Sequence, residues 1–341
     1  MAFKFCMIGC GYLSVGQHGP SVLEYIDRYG GVEFSACCDI DEKKAREFKD
    51  EFKVAKYYTD YIEMLDAEKP DAVSLICPVD KTAELSCRIM ERGYPIILEK
   101  PPGLTGAETR KMIEVAEKSG VPNQVAFNRR YIPLVKKMKD ILNGADCSAG
   151  SAGSDDSNKI MDIHYRMIRV NRRDLNFSTT AIHGIDLVRY VAGVDYKCVD
   201  LRYNELPQYG ERVTNIHING ETVNGTGVHM DFLPMSGAVT ERLEVNTHMG
   251  LFRLELPVWA DGEDKHGCIT QLLNGKVVYS ASCVDLVGNN DEYMINGMYH
   301  ENESFLNDIR NGIKPKGDIE SGLQSVEIAD CINKRKNTYS F

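Results

Sequence analysis

Between residues 3 and 127 short apolar runs alternate with helix-like stretches, and no other feature narrows the fold as far. Apolar runs at Phe3–Ile8, Val32–Cys38, Ala72–Ile76, Ile96–Leu98 and Val125–Phe127 read as strands. Pro20–Tyr29, Glu42–Glu51, Thr82–Glu91 and Thr105–Lys118 read as helices, the last opened by the capping pattern Thr105-x-x-Glu108. Strands joined through helices run parallel, with helices on both faces of the sheet. The expected first domain is therefore an α/β unit over residues 1–127.

The rhythm changes after residue 128. A helix is expected at Pro133–Leu142, then a small, polar stretch over 143–159 that is assigned no role. From 160 to 285 alternating strand patterns are separated by Asn219-Gly220, Asn224-Gly225 and Asn274-Gly275, pairs that suit tight hairpin turns. One helix, Thr180–Val191, interrupts them, and Glu301–Arg310 and Ile319–Lys334 return to helix. Residues 128–341 are thus read as an α+β domain with a large, mostly antiparallel sheet, whose C-terminal helices are free to pack back on the first domain. Helices on one face of that sheet would leave an apolar face to pair with a second copy, as a homodimer or homotetramer.

The first strand runs into Gly9-Cys10-Gly11. Glycines there permit a tight turn and let backbone N–H groups approach a pyrophosphate. Asp39 closes the second strand, where a carboxylate accepts ribose hydroxyls and repels a 2′-phosphate, favouring NAD over NADP. Ser14 stands at the third glycine of the usual fingerprint. The turn is read as two residues longer than usual, with Gly16 taking the close helix–strand contact.

The order of Gly9-x-Gly11, Asp39, Cys77-Pro78, Glu99-Lys100-Pro101, FNRRYIP (127–133), TAIHGIDLVRYVAG (180–193) and FLNDIRNGIKP (305–315) resembles the glucose–fructose oxidoreductase/inositol dehydrogenase (Gfo/Idh/MocA) family. The resemblance covers essentially the whole chain. It implies a Rossmann domain followed by a substrate-binding and oligomerisation domain, and an NAD-dependent enzyme acting on a CH–OH group. It places Lys100 beside the nicotinamide and the substrate hydroxyl, and makes His183 the base. Gly9, Gly11, Tyr12, Leu13, Asp39, Cys77, Pro78, Glu99, Lys100 and Asn128 become cofactor residues.

Alcohol oxidation independently asks for such residues. A histidine accepts the hydroxyl proton near neutral pH, and a nearby cation stabilises the developing alkoxide. Many relatives carry an aspartate four residues before the histidine. Here that residue is Thr179, so either Asp186 orients His183 or the chemistry differs. Arg129 is read either as a substrate contact or as a structural salt bridge. Asp162, His164 and Arg166 share one strand face, which either borders the pocket or is solvated. Tyr299 and His300 complete the substrate candidates, and a pocket so rich in donors suits a sugar, cyclitol or glycoside.

Two other readings stand beside net dehydrogenation. One is transient oxidation at C3 of a glycoside, with elimination and return of the hydride to retained NAD. The other is a nucleotide-sensing regulator without turnover. The formal charge of −10 argues against nucleic-acid and anionic-membrane partners. The apolar runs are too short for a secretory segment or a membrane span, so a cytoplasmic protein is expected. The eleven cysteines lie mostly in strand-like runs with no zinc-like spacing, so no metal or disulfide is expected.

Overall fold

A computed structural model describes residues 2–144, 158–259 and 265–341. Most of the 143–159 stretch lies outside the described residues. The chain divides into two compact units, residues 1–128 with 297–326, and residues 129–296 with 327–341. The first unit is discontinuous. The helix Met298–Arg310 packs on the helix Gly19–Tyr29, where the Tyr25 hydroxyl donates to Asn307 Oδ1 at 2.7 Å. A boundary read from local pattern groups 297–326 with the second domain, because nothing nearby in sequence signals the return.

In the first unit, β1 (Phe3–Ile8), β2 (Val32–Cys38), β3 (Lys56–Tyr58), β4 (Ala72–Leu75), β5 (Ile96–Glu99) and β6 (Asn123–Ala126) form a parallel sheet. Its order, β3-β2-β1-β4-β5-β6, reverses direction between β1 and β4. Such a switch point opens a crevice at the C-terminal strand ends. Strands β4, β5 and β6 are buried along their whole length, as expected when helices cover both faces. Side-chain caps set where the helices start. Asp41 accepts from Lys43 N and Lys44 N, and Thr105 Oγ1 accepts from Glu108 N. The Glu108 carboxylate accepts from Leu104 N, so the expected capping box is only half formed. The short edge strand β3 and the helix Tyr61–Glu68 were not legible in the sequence pattern.

The second unit holds a sheet of nine strands: β7 (Ile160–Ile168), β8 (Tyr196–Glu205), β9 (Thr214–Thr222), β10 (Gly227–Leu233), β11 (Thr240–Thr247), β12 (Gly250–Glu255), β13 (Cys268–Leu273), β14 (Lys276–Ser282) and β15 (Thr338–Ser340). Their order is β14-β13-β12-β11-β7-β10-β9-β8-β15, antiparallel throughout except for the central β7/β10 pair. Asn224-Gly225 and Asn274-Gly275 make turns, with Gly225, Asn274 and Gly275 all at positive φ. Asn219-Gly220 is not a turn and lies inside β9. A Cβ on Gly220 would stand 2.2 Å from Cys198 O, so this glycine serves close strand approach.

One face of this sheet carries the apolar core, including Ile163, Tyr165, Met167, Val228, Met230, Phe232, Leu243 and Val245, packed with the helix Ser178–Ala192. The opposite face presents Asp162, His164, Arg166, His217, Asn219, His229, Asp231, Arg242, Glu244 and Arg253. By register Ile168, Leu233, Leu251 and Leu272 lie on this same face, so it is mixed, polar at its centre, and not uniformly apolar as expected.

A charged hub is set into the apolar side. Glu241 is fully buried and accepts from Arg129 Nη2 at 2.8 Å and the Tyr165 hydroxyl at 2.6 Å, and also pairs with Arg169. Burial by itself would raise the carboxyl pKa. Arg129, then Arg169 and Tyr165, outweigh it and hold the group at about 2. Against an unfolded value of roughly 4.3, this lowered pKa contributes stability fully present above that value, amounting to about 3 kcal/mol. The contribution is lost as pH falls from there through the folded value. Replacing Glu241→Gln strands two buried guanidinium groups and is expected to cost about 3–5 kcal/mol in urea unfolding at pH 7. The gap between wild type and variant should close as pH falls toward the folded value. A loss below about 1 kcal/mol would contradict the hub's role.

Candidate active site

Strand β1 ends at a turn that only glycine can make. Gly9 sits at φ +93°, and a Cβ there would lie 1.8 Å from Ile76 O at the end of β4. Its N–H donates to Cys38 O at 2.7 Å, tying the ends of β1 and β2 together. A Cβ on Gly11, by contrast, would meet nothing within 4 Å. That open space lies at the start of a helix running from residue 12 to Tyr29, with a π-helical segment at Ser14–His18. The Ser14 hydroxyl donates to Gly9 O at 2.7 Å from a fully buried position. Gly16 is exposed and approaches nothing, so it does not take the close contact expected of it. Gly19 makes a different close approach, its Cβ position 2.8 Å from the ring of Phe52 at the end of the helix Glu42–Glu51. The extra residues are absorbed as a wider helical turn, not as a longer loop.

Asp39 follows β2 directly. One carboxylate oxygen accepts from Cys10 N at 2.8 Å and the other from Asp41 N at 2.9 Å. These bonds fix the carboxylate beside the glycine turn, and each oxygen keeps a lone pair for a further donor. Leu13 is half-buried, whereas Tyr12 and Ile40 are 83% and 95% exposed. Backbone N–H groups at a helix start, an anchored carboxylate and two exposed apolar side chains fit a dinucleotide's pyrophosphate, ribose and base in turn. Ile40 was not singled out from the sequence; its signal is its place directly after Asp39.

Lys100 follows β5 and is half-buried. Cys77 and Pro78 stand at the neighbouring end of β4. Cys77 Sγ lies 3.6 Å from Thr82 Oγ1, with burial raising its pKa, and Pro78 precedes the helix Val79–Glu91. Asn128 is buried where β6 gives way to a 3-10 turn.

Behind Lys100 lies a polar set assembled from three separate stretches of chain. Asn302 brings its Nδ2 to 3.1 Å and its Oδ1 to 3.5 Å from His18 Nδ1, and His18 Nε2 stands 2.9 Å from Glu99 Oε1. The other Glu99 oxygen accepts from Lys100 N at 3.2 Å. Glu301 is fully buried, and neither carboxyl oxygen has a hydrogen-bond partner among the described residues. Ligand atoms of His18, Glu99 and Glu301 lie within 4.8 Å of one another. Burial, and then the charge of Glu99, push the Glu301 pKa well above the ordinary carboxylate range, while Lys100 opposes them. Sequence reasoning missed His18, Glu301 and Asn302. Tyr299 and His300, chosen instead, turn to Glu303: the Tyr299 hydroxyl donates to it at 2.8 Å and His300 Nδ1 lies 3.5 Å away.

In the second unit His183 is half-buried on the helix Ser178–Ala192. Gly184 sets how closely that helix lies on the sheet, since a Cβ would come within 2.1 Å of the Tyr165 ring. Thr179 is one turn before His183, and its hydroxyl donates to Asn176 O at 3.1 Å. Asp186 lies on the same helix as His183. It is buried and accepts both arms of Arg130, at 2.6 and 2.7 Å. Arg129 belongs to the Glu241 hub, the structural alternative of its two readings. Asp162, His164 and Arg166 lie on the sheet face opposite Ile163, Tyr165 and Met167, away from the helix that carries His183. They are the solvated face, not companions of His183.

Residues 3–127 match the model of the oxidoreductase family with NAD-binding Rossmann fold. A D-apiose dehydrogenase from Paraburkholderia graminis is 27% identical over 192 residues, 56% of this chain and 50% of that one. The chain spans about half to two thirds of the length of the curated relatives it matches. The same fold recurs in the myo-inositol 2-dehydrogenase of Lactobacillus plantarum, with TM-score 0.75, 21% identity and 100% of both chains covered. It recurs also in a levoglucosan dehydrogenase solved with NADH and levoglucosan, with TM-score 0.81, 16% identity, and 100% and 99% of the two chains covered. Residues 3–127 are therefore similar to the NAD-binding Rossmann domain of that oxidoreductase family.

Proposed function

We propose that the chain is an NAD-dependent dehydrogenase acting on a secondary hydroxyl of a sugar, cyclitol or glycoside. The observation that carries this reading is the edge of the parallel sheet. Gly11 leaves open space after β1, Asp39 is anchored after β2, and Lys100 follows β5 in front of the buried His18–Glu99–Glu301 set. The names of relatives that act on apiose, inositol or levoglucosan support a polyhydroxylated substrate.

When bound, the nicotinamide supplies the hydride acceptor. The turn at Gly9 directs the backbone N–H groups that follow it, from Gly11 into the helix start, toward the pyrophosphate. Asp39 accepts from the ribose hydroxyls and disfavours a 2′-phosphate, the basis for NAD over NADP. Lys100 stabilises negative charge growing on the substrate oxygen, and the buried set behind it keeps water from competing for the ammonium group. His183 takes the hydroxyl proton.

One observation favours a second reading. Where many relatives carry a carboxylate, one turn before His183, this chain has the uncharged Thr179, whose hydroxyl donates to Asn176 O. That substitution supports transient oxidation of a glycoside with return of the hydride, in which the proton is handed back within the cycle.

Asp39→Ala removes charge-assisted hydrogen bonds worth roughly 1.5–3 kcal/mol, so NAD⁺ affinity measured by calorimetry should fall about 10- to 150-fold. Unchanged affinity would overturn the cofactor assignment. His183→Ala should lower turnover by about 10²–10⁴. A rate within a few-fold of wild type would exclude His183 as the base.

A further inference from the structure

At the centre of the second unit's sheet, on its open face, β7 and β10 run parallel with His164 and His229 in register. Their rings stack with centroids 4.5 Å apart, tilted by 35°. Asp162, two residues before His164, points to the same face and reaches both rings. Its Oδ2 is 2.9 Å from His164 Nε2, and its Oδ1 is 3.3 Å from His229 Nε2.

The far side of His229 makes this arrangement informative. Its Nδ1 lies 2.7 Å from Asn219 Oδ1, and Asn219 is its registered partner on β9. An amide oxygen only accepts, so the ring proton sits on Nδ1 and the Nε2 lone pair faces a carboxylate oxygen. Two acceptors at that distance repel unless something positive lies between them. A single divalent cation satisfies both imidazole lone pairs and the carboxylate together.

The spacing suits such an ion. Tetrahedral coordination with bonds of about 2.0–2.1 Å places donor atoms roughly 3.3 Å apart, and the Asp162, His164 and His229 donor atoms all lie within 4.8 Å of one another. Two imidazoles and one carboxylate select borderline transition-series ions over magnesium and calcium, which favour all-oxygen shells. Asn219 supplies the outer hydrogen bond that fixes a ligating histidine's tautomer. Asn246, the registered partner of Asp162 on β11, places its Nδ2 3.5 Å from Asp162 Oδ2. Glu244, opposite His164 on β11, is paired with Arg253.

We propose that Asp162, His164 and His229 form a binding site for one Zn²⁺, Co²⁺ or Ni²⁺ ion on the open face of the sheet, with a fourth position left to water. The ion clamps β7 to β10, neighbours in the sheet that are far apart in sequence, and stabilises the second unit when bound.

The test uses the tag-free full chain, stripped with a chelator and titrated with Zn²⁺ by calorimetry and with Co²⁺ by visible absorption. One saturable equivalent is expected, with a nitrogen- and oxygen-ligated cobalt spectrum and an upward shift in thermal midpoint. His164→Ala and His229→Ala should each weaken binding at least tenfold, and Asn219→Ala by about tenfold. All three side chains lie on the open face, and circular dichroism checks that each variant folds. Four results would each overturn the proposal. They are no saturable binding, binding retained in the His164→Ala/His229→Ala double variant, a sulfur-to-cobalt charge-transfer band, and Mg²⁺ binding as tightly as Zn²⁺.

Discussion

At the end of β1 the backbone comes so close to β4 that the site depends on the absence of one carbon atom. With a Cβ at residue 9 placed 1.8 Å from Ile76 O, any side chain would push β1 and β4 apart where the strand order reverses. The hydrogen bond from Gly9 N to Cys38 O then sets the end of β2, and Cys10 N anchors the carboxylate of Asp39. One glycine thus brings together the turn, the acidic residue and the crevice at the C-terminal edge of the sheet. The substrate chemistry read from Lys100 requires that edge to be in register.

Buried charge divides the rest of the molecule into two kinds of environment. Around Glu241 and Asp186 the ionic groups are matched by guanidinium donors, and the outcome is rigidity. Around Glu301 the carboxyl is unmatched by any hydrogen bond among the described residues, and its pKa moves up instead. Beside it, Glu99 faces both His18 and the Lys100 backbone.

Local pattern carried the sequence reading through the first sheet, because parallel strands buried on both faces are short, apolar and separated by capped helices. The residues at the strand ends, Gly9, Gly11, Asp39 and Lys100, were legible for the same reason: their meaning lies in their position directly after a strand. What escaped depends on contacts distant in sequence. Glu301 and Asn302 meet His18 across more than half the chain, so no window contains them together. Asn219-Gly220 reads as a turn until β8 approaches Gly220. Arg129 and Asp186 carry the composition of a site, but the partners that claim them, Glu241 and Arg130, become visible only when the second sheet and its helix are assembled. The alternation that put Asp162, His164 and Arg166 on one face was right, while alternation alone does not say which face carries the helix bearing His183.

Hydride transfer itself is the most direct test of the account. The purified chain would be mixed with NAD⁺ and a panel of hexoses, inositols, uronates and O- and C-glycosides, with NADH absorbance and cleavage products both recorded. Lys100→Met would run in parallel. The account predicts NADH formation, or NAD-dependent cleavage, with at least one polyhydroxylated substrate, and its loss in Lys100→Met. Wild-type rates in that variant, or an inert panel with NAD⁺ demonstrably bound, would contradict it.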